Sequence, residues 1–147
     1  MDQHFHVKLD FIWDGSDEEV YETKKRLAQI SLTFTHRDFS GAQLSPDEKK
    51  EFFTELLRKK LQRMAADRFG KTIRLTNDGV KTGSITVIIG LVLLGAKEYK
   101  SAREGVLQFV KDLKAASQAL YGIARNSYSQ IQQRRKQKAL QHRTIGQ

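Results

Sequence analysis

The chain has no cysteine, a single proline and no acidic residue after Asp112. Each absence excludes something. Without cysteine there is no disulfide framework, no thiolate metal site and no cysteine nucleophile, which fits a reducing compartment. One proline, Pro46, leaves few forced breaks and favours long regular elements. A membrane-spanning run is also missing. The longest uncharged stretch is residues 82–96, fifteen residues. A spanning helix needs about 20, and at about 1.5 Å per residue this stretch reaches only about 22 Å. Its β-branched residues Ile85, Thr86, Val87, Ile88, Ile89 and Val92 favour a strand. The first ten residues alternate in polarity and carry no apolar signal core. No secretory signal is expected, and the cytoplasm is the expected location.

What is present is basic charge, unevenly placed. The 147 residues suggest one domain. Of the net charge of +9, residues 113–147 carry +7 and residues 1–112 only +2. The division expected from this is an α+β domain over residues 1–129 with a long C-terminal helix, followed by a basic polar tail over 130–147. No internal repeat is visible.

Periodicity outlines the elements. Phe5, Val7, Leu9, Phe11 and Trp13 alternate with polar residues, as a half-buried strand requires. Ser16 and Glu19 form a capping-box pattern, which predicts a helix from residue 17 to about 29; it is expected to run on through Ile30, Leu32 and Phe34, whose alternation is the competing strand signal. Ser45-Pro46-Asp47-Glu48 is a helix start, and Phe53, Leu56, Leu57, Leu61 and Met64 continue one face to Phe69, with Gly70 as C-cap. Residues 72–76 and 84–94 read as an antiparallel hairpin. Asn77-Asp78-Gly79 begins its connection of about seven residues. In the second strand Ile85, Val87, Ile89, Leu91 and Leu93 share a face. The opposite face starts polar (Ser84, Thr86) and ends apolar (Ile88, Val92, Leu94), the pattern of a strand buried on both faces at one end. A helix from about Lys97 runs past Tyr128, with a bend or close contact expected at Gly105 and Gly122. The fold class is therefore α+β: a small antiparallel sheet, from the N-terminal strand and a central hairpin, packed by helices.

Catalytic patterns are absent. Gly90 to Lys97 lacks the adjacent Gly-Lys and following Ser or Thr of a phosphate loop. His4 and His6 lie on the polar side of the first strand without a companion ligand pattern. Asp17, Glu18 and Glu19 suit a helix N-terminus without any catalytic role. No nucleophile stands beside a base. An enzyme, a cofactor, a metal and a small-molecule substrate are not expected.

Interaction candidates remain. Tyr99, Ala102, Val106, Phe109, Leu113, Ala116, Leu120 and Ile123 recur at steps of three and four along one helical stripe. Packing on the sheet accounts for it to Leu113. Beyond that, Ala116, Leu120, Ile123 and Tyr128 form the expected exposed seam for a protein partner or a second copy. The cluster Arg134, Arg135, Lys136 and Lys138 is the candidate anion surface, for nucleic acid or for the headgroups of an anionic membrane. The membrane alternative adds the apolar run 85–96. The nucleic-acid alternative lacks aromatic residues for base stacking, in the tail and in the strand alike.

The first strand, Phe5-His-Val-Lys-Leu-Asp-Phe11, the hairpin with Gly83-Ser84-Ile85-Thr-Val-Ile-Ile89, and the approach Tyr99-Lys-Ser-Ala-Arg-Glu-Gly-Val106 are similar to the N-terminal domain of the death-receptor adaptor TRADD and its bacterial relatives. The resemblance covers residues 5–113. It implies a non-enzymatic adaptor domain in immunity or cell-death signalling.

Overall fold

Alternation sets the first element. β1 (His4–Phe11) turns Phe5, Val7, Leu9 and Phe11 to one side and His6, Lys8 and Asp10 to the other. The structure, a computed structural model, describes residues 4–13, 24–35, 37–94 and 99–145.

The helix expected over residues 17–29 is corrected where the chain is described: Lys24–Thr35 is a strand, β2. Ala28, Ile30, Leu32 and Phe34 are all buried on one side of it. As a helix this stretch would have offered only a thin apolar face. As a strand it pairs on both edges, antiparallel to β1 and to β4 (Ile85–Leu94), and satisfies its backbone there. The capping pattern at Ser16 and Glu19 lies outside the described residues.

The hairpin differs in detail. β3 (Ile73–Lys81) does not turn at Asn77. It continues through a bulge between Asn77 and Gly79, and Gly79 takes the irregular step at φ 134°. Only residues 82–84 connect β3 to β4, with Gly83 at φ 117° and bridged to Ala42. The sheet has the order β1-β2-β4-β3, all antiparallel.

The helices form one layer against one face of that sheet. α1 (Pro46–Leu56) starts as expected: the Ser45 hydroxyl accepts from the Glu48 amide at 3.2 Å, and the Glu48 carboxylate accepts from the Ser45 amide at 2.9 Å. A π-turn over Leu57–Leu61 joins it to α2 (Gln62–Phe69). Leu56 and Leu61 are five residues apart and both fully buried. Ordinary α geometry would turn them about 140° apart. The i→i+5 bond from the Gln62 amide to the Leu57 carbonyl takes up the extra residue and keeps both on the core. Gly70 closes the helix at φ 61°.

The C-terminal helix is two helices. α3 (Tyr99–Ala115) buries Ala102, Val106, Phe109 and Leu113, as the stripe predicts. Its Gly105 makes the anticipated close contact: a Cβ there would stand 3.2 Å from the Phe69 ring. The break falls at Ala116, whose amide is shared between the Asp112 and Leu113 carbonyls. α4 (Ser117–Ile145) then runs without interruption through Gly122 and on past residue 130.

Phe34 ties the layers together. Its ring lies 5.3 Å from Phe5, 6.5 Å from Phe52 and 5.9 Å from Tyr121. Tyr121 and Tyr128 both pack on Phe39, and the Tyr121 hydroxyl donates to the Thr35 carbonyl at 3.0 Å. Leu120 is fully buried beside them, whereas Ile123 lies half-buried on the flank. Leu120→Ala should therefore lower unfolding free energy by about 2–5 kcal/mol in urea titrations, and Ile123→Ala by about 1 or less. Equal, small losses would mean that Leu120 is not core.

Candidate interaction surfaces

The expected helix seam is corrected by this packing. Leu120 and Tyr128 are buried in the domain's own core, and Ala116 and Ile123 are half-buried at its margin. The stripe was read through the break at Ala116 as if the helix were continuous. Beyond that point the inward face is Leu120, Tyr121, Ala124, Ser127, Tyr128 and Ile131. Alanine, serine and tyrosine make up most of it, so its hydrophobic signal is weak.

The basic cluster is also partly used internally. Past Ile131 no described residue of the helix lies in the core, and two arginines clasp it to the first turns of α1. Arg135 holds Glu48 in a two-point pair, Nε to Oε2 at 2.9 Å and Nη2 to Oε1 at 2.6 Å, and also donates to the Gln43 carbonyl at 2.6 Å. Arg134 pairs with Glu51. Lys138 lines the same cleft with Asp47, while Lys136 is exposed. The anion surface expected from Arg134, Arg135, Lys136 and Lys138 is thus half neutralised by the chain's own carboxylates.

The third surface was not picked out by the sequence. The described α-helices pack on one face of the sheet. No described element packs over the other. Facing outward there are Lys8 and Asp10 on β1, Arg26, Gln29, Ser31 and Thr33 on β2, Thr86, Ile88, Gly90 and Val92 on β4, and Arg74 and Thr76 on β3. At its centre Gly90 has no side chain, and the carboxylate of Asp78 lies across it. The β3 bulge delivers Asp78 to this face. Its Oδ2 accepts from Arg26 at 2.7 Å and from Gln29 at 2.8 Å, and its Oδ1 accepts from Thr76 at 2.8 Å. The side chain is 14% exposed, so these bonds replace most of its water. A Cβ on Gly90 would sit 2.6 Å from Asp78 Oδ2 and collide with Thr76 Oγ1. A lone glycine inside an aliphatic strand was the available signal, since it marks close approach of another group.

Around this node the central strand exposes aliphatic surface. Ile88, Val92 and Leu94 are half-buried rather than covered, and Ile12, just past β1, is 49% exposed. The sequence anticipates burial on both faces here, and the described chain supplies it on one.

Among the described residues there is no group of histidines and carboxylates able to hold a metal ion, and no helix long and apolar enough to cross a membrane. The apolar run 85–94 is the strand hydrogen-bonded on both sides by β2 and β3, and freeing it would break both ladders. No family model, curated protein or solved structure matches the chain.

The clasp has a pH signature. The Arg135 guanidinium hydrogen-bonded to Glu48, helped by the Ser45 amide and opposed by burial, holds that carboxyl at about 2. This is below its unfolded value, so the unfolded chain binds more protons on acidification. The stabilisation is complete above about pH 5 and is lost as the pH falls toward about 2. Urea midpoints measured from pH 6 to 2.5 should fall, and Glu48→Gln should start lower and flatten part of that slope. An unchanged slope would mean that the clasp does not form in solution.

Proposed function

We propose that this chain is a non-enzymatic protein-interaction domain of the adaptor kind implied by its resemblance to the TRADD N-terminal domain. Its partner protein docks on the open face of the sheet, not on the helix seam. One observation supports this most: the central strand carries Ile88, Val92 and Leu94 on the face that no described element covers. Protein interfaces combine an apolar centre with a polar rim in which arginine is enriched. Here the apolar part is that aliphatic strip, flanked by Arg26, Arg74, Lys8 and Thr33, with the Asp78 node set between Ile88 and Val92. The polar part of the face is already held in place by Asp78, so little side-chain freedom is lost on docking.

The test is Val92→Lys in the full chain. The residue is half-exposed, so the melting temperature should move by only a few degrees. Partners crosslinked in the cells of origin and identified by mass spectrometry should be lost with this variant and kept with Lys136→Ala. Light scattering of the purified chain separates the remaining case: a dimer abolished by Val92→Lys makes the occupant a second copy and overturns the separate partner. A crosslinked partner set identical for Val92→Lys and the parent chain would overturn docking on this face altogether.

A further inference from the structure

The chemistry of the open face narrows what can sit on it. Across the sheet, Arg26 on β2 and Arg74 on β3 both stand opposite Val92 on β4. Adjacent strands are about 4.8 Å apart, so the backbones that carry these two arginines run about 10 Å apart on either side of one valine. Leu94 lies two residues along the same strand. The next row toward Ile88 is Gln29, Gly90 and Thr76, bridged by Asp78.

We propose that this face recognises a carboxylate-bearing aliphatic segment of the partner protein. Its acidic side chain seats between Arg74 and Arg26, and its apolar neighbours lie on Val92, Leu94 and Ile88. The inference rests on the docking face described above and adds the identity of what is recognised. Three observations carry it. Arg74 is exposed and has no carboxylate partner among the described residues, unlike Arg26, which holds Asp78 at 2.7 Å. Arg26 commits one Nη to Asp78 and keeps further N–H groups of its planar fork. Asp78 itself shows the chemistry accepted here: a carboxylate lying flat on the sheet over a glycine, with arginine, amide and hydroxyl donors converging on it.

The same face lacks what a nucleic acid would stack on. Among the described residues a nucleic acid would meet no aromatic ring on this face, since Phe5, Phe11 and Phe34 point to the core side.

The experiment titrates the uniformly 15N-labelled full chain with two capped synthetic peptides, Leu-Glu-Val-Asp-Leu and its amide counterpart Leu-Gln-Val-Asn-Leu. The acidic peptide should shift the amide resonances of Arg26, Arg74 and Val92. Its affinity should fall at least tenfold for the amide peptide, at least tenfold for Arg74→Gln, and with rising salt. Arg74→Lys, which keeps the charge but not the fork, should retain an intermediate affinity. Equal affinity for both peptides, no loss with Arg74→Gln, or no shifts at millimolar peptide would overturn the inference. The two ideas fail separately. Crosslinked partners lost with Val92→Lys but kept with Arg74→Gln would sink carboxylate recognition and leave the docking face standing.

Discussion

The pairing of β2 with β4 is the constraint on which the rest of this domain depends. The two central strands present Ile30, Leu32 and Phe34 beside Ile89, Val87 and Ile85 on the inner side, where Phe52 of α1 and Tyr121 of α4 pack on Phe34. Their outer sides bring Arg26, Gln29 and Thr33 level with Val92, Gly90 and Thr86. One register therefore sets both the core and the candidate recognition face. Because side chains alternate strictly along a strand, a slip of one residue would turn the core outward and scatter the polar node together.

The sheet face gains from this arrangement a property that surface patches often lack. Its polar centre is fixed by strand geometry and by a three-donor network rather than by loops. Asp78 is delivered by a bulge, and Gly90 provides the floor. A half-buried polar network of this kind orders its surroundings when its bonds are complete. The aliphatic strip on either side of it is supported from below by the fully buried Ile89, Leu91 and Leu93.

How much of this was legible in the sequence depends on the kind of signal. β1, α1 with its capping box, β4 and the inward stripe of α3 follow from strong apolar periodicity and are found where periodicity places them. β2 was obscured because a helix-start pattern at Ser16 competes with the alternation from Ala28 to Phe34, and only the presence of two strand partners decides between them. The face of α4 was misplaced because the chain breaks at Ala116, a residue with no propensity for breaking helices. The node around Asp78 was hidden for another reason. Asn77-Asp78-Gly79 is a turn signal locally, yet Arg26 and Gln29, its partners, lie about fifty positions away. Long-range pairing turned a turn into a bulge.

The π-turn at Leu57–Leu61 has a consequence for any comparison of this chain with others. It is one residue more than an unbroken helix would hold. A scheme that threads a regular helix through this region will displace Leu61, Ala65 and Phe69 by one position from the core face they occupy. Two chains with the same architecture, one with the turn and one without, would then look dissimilar from residue 57 onward. Their inward side chains would superimpose only after a single-residue gap is placed between Leu56 and Leu61.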